Sequence, residues 1–475
     1  MPQTRHSKSA EIRSRLDHPV IDADGHVVEL TPLLLDYIGD AGGGGMVDRF
    51  LKRDSSPYFR MSPEERRDTW TPTPAWWAFS AENTLDRATV SLPALLYERM
   101  DEMGLDFSIL YPSIGLGMMR LRDHELRQVV CRAYNAYQAD LYREYSDRLT
   151  PAAVIPMNTP QEGIDALEHA VVDLGLKAAV VPGHIIRPIP KYHREYPELD
   201  QVIDRLDTLG IDSEYDYDPV WAKFVELKVA VTSHSGTQGW GTRRSISRYM
   251  YNQAGHFGEG GDIFARSLFM GGVTRRFPTL NFAFLEGGVG WACTLYAGMI
   301  GRWEKRNGEV VGRLDPAKAD MAMVERLISQ YGNDRIKAMR GQIEESFLGF
   351  QQAAPEVLDD WSACKIERSE EIRDLFTESF YFGCEADDPL NAWAFDTRVN
   401  PHKARLKAMF GSDVGHWDVP DMGRVLEEAY ELVERGLLST GDFRDFVFTN
   451  PASLHTRLNR DFFKGTRVES AVEAG

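Results

Sequence analysis

The chain has 475 residues, 43% hydrophobic and 27% charged, with 54 Lys and Arg set against 72 Asp and Glu for a net charge of −18. That acidity argues against nucleic acid or an anionic membrane as partner, because both require a basic face. No apolar run approaches the roughly 18 residues that a membrane-spanning helix needs.

The first residues, Met1 to His6, are polar and basic with no apolar core, so they do not read as a signal peptide. The four cysteines, Cys131, Cys293, Cys364 and Cys384, are far apart with no CxxC spacing, which fits a reduced, cytoplasmic protein with free thiols.

The first element is a short apolar strand, Val20-Ile21, running into Asp22-Ala23-Asp24-Gly25-His26. Strand alternation places Asp22, Asp24 and His26 on one side. Polar groups facing a strand interior need a partner, and a divalent metal takes carboxylate and imidazole ligands. The bland reading is a strand that ends in a polar turn at Gly25.

Seven further β-branched or aromatic runs follow: 107–113, 152–157, 177–183, 228–234, 280–286, 380–385 and 408–413. Helical patterns lie between several of them. Leu126, Val129, Val130, Ala133, Tyr137 and Leu141 form one stripe, and Thr159-Pro160-Gln161-Glu162 reads as a capping box closed by Gly175. Met422, Val425, Leu426, Ala429 and Val433 mark a helix after the last strand. Eight strands with helical crossovers predict an α/β fold, a distorted (β/α)8 TIM barrel with long loop and helical insertions on the active face. No GxGxxG or GxxxxGK[ST] turn follows any strand, which counts against a doubly wound open sheet.

The spacing divides the chain into an N-terminal arm (1–19), the barrel (20–460) and a C-terminal tail (461–475) expected to fray from Thr466. Insertions fall at about 31–95, 184–218 and 302–378. The first carries Trp70, Trp76 and Trp77 and reads as a lid, or as the arm or surface patch of a homodimer. The second, rich in Pro and charge, reads as a long loop, and the third as a polar helical insert.

Barrel enzymes carry their chemistry at the C-terminal strand ends. Here those ends present Asp24 and His26, His234, Glu286, Glu385 and Asp413, a set without cysteine that suits zinc, manganese or iron. His256 is a candidate further ligand or acid/base. His416 and His184 are candidate pocket or substrate contacts, and Arg187 and Arg243 candidate clamps for a substrate carboxylate, with solvated loop cations as the alternative. The other histidines, including His18 and His455, are expected at the surface. No GxSxG elbow supports a serine nucleophile.

These landmarks resemble the amidohydrolase-related family, in the branch that includes aminocarboxymuconate-semialdehyde and resorcylate-type decarboxylases, over nearly the whole chain. The resemblance maps the family's first-strand motif onto Asp24 and His26, its fifth-strand histidine onto His234, and its Phe-Gly-Ser-Asp onto Phe410 to Asp413. The segments 99–106, 271–278 and 450–452 resemble further family landmarks. It implies a metal-dependent enzyme that hydrolyses, or non-oxidatively decarboxylates, a small carboxylic acid, with zinc the expected metal, manganese or iron as alternatives, and one or two ions. On this reading Asp24, His26, His234, Glu286 and Asp413 are ligands; Glu286, Asp413 and His256 are catalytic; His184, Arg187, Glu385 and His416 meet substrate.

The chain departs from the family at Leu285-Glu286-Gly287-Gly288, where the decarboxylases carry histidine. The carbamylated lysine of binuclear hydrolases is also missing, since Lys177 starts its strand. Glu286 is therefore read as a proton shuttle, a bridge between two metals, or a buried acid satisfied by loop amides or Arg302. The alternatives of another kind are an oxygen-activating binuclear manganese or iron enzyme and a non-catalytic subunit of a hetero-oligomer.

Overall fold

The computed structural model describes residues 7–53, 57–75, 83–200, 202–315, 318–347 and 358–474. Eight strands run parallel in chain order: β1 (Ile21–Val27), β2 (Phe107–Pro112), β3 (Leu149–Val154), β4 (Ala178–Val181), β5 (Val231–Ser233), β6 (Phe282–Phe284), β7 (Phe380–Glu385) and β8 (Lys407–Gly411). The seam between β8 and β1 has no strand ladder. It is closed just past the strand end by a 2.9 Å hydrogen bond from Asp413 N to Asp24 O, giving a nearly closed, distorted (β/α)8 barrel. Gly411 allows this approach, because a Cβ there would lie 2.9 Å from that of Asp24.

Every residue of β1 to β4 is buried, as expected of parallel strands covered on both faces. The helix His124–Tyr142 is capped by Asp123, which accepts from Leu126 N, and buries Leu126, Val130, Ala133 and Tyr137 against the strands. Thr159 caps the next helix, while Glu162 turns away to a buried ion pair with Arg127.

Three outlying segments are more ordered than their composition suggests. The stretch expected to be a long loop at 184–218 contains an antiparallel pair, Ile185–Pro188 with Asp204–Asp207. The helix Lys8–Arg15 docks through Ile12. The tail is packed from its start: Phe462, Phe463 and Val468 are buried, Lys177 Nζ donates to Phe462 O, and a helix spans Glu469–Ala474. His18 and His455 are also buried rather than at the surface, His455 stacked on Phe462.

Helices Thr31–Gly42, Gly44–Lys52 and Pro63–Thr69 occupy the first insertion, which reaches the loop after β5 where Thr73 N donates to Ser245 O. Trp70 is exposed, whereas Trp76 and Trp77 lie outside the described residues. No helix among the described residues is long and apolar enough to cross a membrane.

Candidate metal centre

The acid and imidazole groups at the C-terminal strand ends meet in one place. His26 Nε2 lies 3.1 Å from His234 Nε2, 3.6 Å from Asp24 Oδ1 and 3.3 Å from Asp413 Oδ1. His234 Nε2 lies 2.8 Å from Glu286 Oε2, and His416 Nδ1 lies 2.7 Å from Asp413 Oδ1. Ligand atoms held about 2.1 Å from one ion sit roughly 3.0–3.4 Å apart, close to most of these separations. Asp24 Oδ1, Glu286 Oε2 and both oxygens of Asp413 are buried without an aligned hydrogen bond. Buried carboxylate oxygens of that kind call for a cation or a proton. The donor set therefore fits a divalent metal.

Local folding explains how β1 delivers Asp24 and His26. Its pairing with β2 shifts register between Asp22 and Gly25. A Cβ on Gly25 would come within 2.6 Å of both Asp22 Oδ2 and Ser108 Oγ, so glycine is required there. Asp22, which strict alternation groups with Asp24 and His26, has another task. Its carboxylate accepts from Ser108 Oγ, Ser412 Oγ, Ser412 N and Asp24 N at 2.7–3.2 Å, tying β1 to β2 and to the segment after β8.

Burial and crowding set the electrostatics. Burial, followed by neighbouring carboxylates, pushes Glu286, Glu385 and Asp413 well above the usual carboxylate range. Burial does the same to Asp24, against the opposing pull of His234. Burial holds His26 and His234 below the usual imidazole value and takes His416 to about 3. The imidazoles are thus neutral at pH 7, the form that binds metal.

The remaining candidates sit further out. His256 opens the helix His256–Met270, its ring tilted against that of Phe257, which meets His234 edge-on at 4.9 Å; among the described residues its own nitrogens belong to no metal-capable group. His184 is buried with both ring nitrogens unpartnered. Glu385 ends β7 and joins Glu286, Asp413 and Asp418 in a carboxylate group. His416 Nε2 reaches Ser113 Oγ.

Both expected clamps are engaged within the protein: Arg187 with Asp207, Glu214 and Tyr217, and Arg243 with Glu259. Arg302 bonds its own helix at Gly298 O and lines an outer groove with Trp291 and Trp361, so it is not the partner of Glu286.

Three participants are not evident in the sequence. Glu29 accepts from the backbone N–H groups of Ser113, Ile114 and Gly115, fixing the loop after β2. Asp418 completes the carboxylate group. Arg120, on that same loop, is exposed as a residue, and desolvation of its guanidinium lowers its pKa. No described carboxylate pairs with Arg120, and its charge acts on His184, His234 and His256. A lone cation in a loop pattern gives no signal that separates it from its neighbours Arg122 or Arg127.

A parallel barrel that gathers imidazoles and carboxylates fit for a divalent ion at its C-terminal mouth defines a metal-dependent barrel enzyme of the hydrolase or carbon–carbon lyase kind. The chain matches the amidohydrolase family over residues 21–336 and belongs to it. Solved structures agree on the fold. An amidohydrolase from Mycobacterium avium subsp. paratuberculosis K-10 is 17% identical with a TM-score of 0.51, over 93% of this chain and 100% of that one. A dihydroxybenzoic acid decarboxylase from Polaromonas sp. JS666, with bound manganese and 2-nitroresorcinol, is 14% identical with a TM-score of 0.50, over 92% and 97%. A 5-carboxyvanillate decarboxylase from Sphingomonas paucimobilis is 14% identical with a TM-score of 0.50, over 92% and 98%. No curated protein matches the chain.

Proposed function

We propose that the protein is a metal-dependent enzyme acting on a small carboxylic acid, by loss of CO2 without oxidation or by hydrolysis. The observation that carries this reading is the convergence of Asp24, His26, His234, Glu286 and Asp413, with Asp24 Oδ1, Glu286 Oε2 and both Asp413 oxygens buried without aligned hydrogen bonds. Asp24, His26, His234 and Asp413 would hold the ion. Carboxylates in this proportion suit manganese better than zinc, which the sequence alone favours. Manganese is also the metal bound in the Polaromonas decarboxylase.

A bound divalent ion would polarise a substrate carboxylate or carbonyl and lower the pKa of its water. The protein's own groups do the rest. The buried carboxyls around Glu286 hold protons above their usual range, so the cluster can accept a proton and return one. In a decarboxylation the carbon–carbon bond breaks, the electron pair stays on the substrate carbon, and a carboxyl proton replaces CO2. Arg120 and His184 supply a cation and a neutral imidazole for the rest of the substrate.

The test is a panel of hydroxybenzoic acids and their esters with Mn2+-loaded protein, following CO2 release and ester cleavage separately. Metal-dependent turnover of either kind supports the reading. A protein that binds no divalent ion after dialysis against Mn2+ overturns it and favours a non-catalytic subunit.

A further inference from the structure

We propose that Asn252 is a positioning residue: it latches the first insertion to the loop after β5, and the two together form a strap across the barrel mouth that controls access to the metal centre. The access role rests on the metal-dependent reading of the site, but not on the choice of reaction or the number of ions.

Topology places the strap. In a barrel of eight strands in chain order, β1 and β5 stand on opposite sides. One delivers His26 and the other His234, whose Nε2 atoms are 3.1 Å apart, and the segments that follow both strands rise from the C-terminal face. The loop after β5 is pinched at its neck, where Thr237 N donates to His256 O at 3.2 Å. Further out it meets the segment 57–75 of the first insertion. There Thr73 N donates to Ser245 O at 2.9 Å, and the Tyr58 hydroxyl donates to Ile246 O at 3.4 Å. A joint between segments that leave opposite strands closes an arch over the mouth. On the same loop the helix Tyr249–Gln253 carries Tyr249, whose phenol feels the charges of Asp418 and Glu286.

Asn252, on that helix, makes the joint. It is 0% exposed, and its amide is fully used. Oδ1 accepts from Ser245 N at 2.7 Å, while Nδ2 donates to Ser245 O at 2.8 Å and to Thr73 O at 3.2 Å. One side chain thus binds both halves of the arch, and its removal strips partners from buried backbone groups on each. The insertion has little else to hold it there, because the helix Pro63–Thr69 buries no residue. A segment with so little apolar burial opens at low cost once its polar joint is cut.

The test follows Mn2+ exchange in the full-length chain: the rate of uptake, the rate of removal by excess chelator, and affinity from equilibrium dialysis. Asn252→Ala should raise both rates at least tenfold and leave affinity within about twofold, because a strap changes the path to the ligands and not the ligands. Thr73→Pro, which deletes an N–H from the other side of the joint, should raise both rates at least threefold, and it decides the matter if Asn252→Ala fails to fold by circular dichroism. Hydrogen exchange, read without metal, should be at least tenfold faster over 57–75 in Asn252→Ala, or threefold in Thr73→Pro. Wild-type Mn2+ rates in the folded variants overturn the strap. Faster removal with unchanged uptake overturns it too, since that marks damaged ligands. Unchanged hydrogen exchange over 57–75 overturns the latch. A wild type that binds no Mn2+ overturns the metal-dependent reading and the access role with it, and hydrogen exchange then still decides whether Asn252 is the latch.

Discussion

Glu286 and Asp413 leave β6 and β8 in the same left-handed backbone conformation, with φ of 56° and 47°, and each sets its carboxylate against an imidazole, Glu286 at His234 and Asp413 at His26 and His416. Side chains beyond Cβ rarely occupy that region, at a cost of about 1–3 kcal/mol per residue. Two acids held so at the ends of the strands on either side of β7 mark positions where side-chain placement outweighs backbone comfort.

Glu286→Gln keeps shape and backbone but replaces a carboxylate with a poorer ligand and a poorer proton carrier. We expect Mn2+ affinity to fall by roughly tenfold or more, and any turnover found with the carboxylic acid panel to fall by about two to four orders of magnitude. Dialysis and initial rates measure both. Unchanged values would leave Glu286 a structural acid only.

Asp22→Ala separates the seam from the site. It strips a buried acceptor from Ser108, Ser412 and the Asp24 amide. The loss should be about 2–4 kcal/mol of stability, read as a lower urea midpoint. Because Asp22 faces the seam and not the ligands, Mn2+ stoichiometry should stay at its wild-type value.

The barrel was legible because its strands end abruptly in polar residues, and the strand-end acids and histidines carried most of the centre with them. Asp22 misled because period-2 alternation assumes an unbroken ladder, and the shift at Gly25 breaks it. The packed tail was hidden because its few apolar residues, Phe462, Phe463 and Val468, are too sparse for a periodicity. The pairing of Arg187 with Asp207 was hidden because it arises only through the antiparallel pair within that insertion, a contact that local sequence does not announce.

Acid should weaken the fold through His455. Burial takes its pKa from 6.5 to about 3, with Lys177 adding to the shift. Above pH 6.5 neither the folded nor the unfolded state holds the extra proton, so the residue is neutral to stability there. As the pH falls below 6.5 the unfolded chain takes up that proton and the folded one does not, costing about 2 kcal/mol by pH 5. His455→Leu, whose ring nitrogens leave no partner behind, should flatten the decline in stability between pH 7.5 and 5 by that amount. Parallel wild-type and variant curves from urea unfolding would show that His455 titrates normally.

Arg120 should recognise the substrate's anionic group. Its guanidinium has no described carboxylate partner, and its charge reaches His184, His234 and His256, whereas Arg187 and Arg243 are already paired. A charge-assisted contact of this kind contributes about 1.5–3 kcal/mol, so Arg120→Met should weaken benzoate binding to the Mn2+-loaded protein by roughly ten- to a hundredfold. Titration calorimetry gives the affinity, and metal analysis should show the ion content unchanged. Arg120→Lys keeps the charge but loses the planar fork, and should recover only part of the loss. Benzoate affinity equal to wild type in Arg120→Met would leave His184 and the metal as the groups that hold the acid.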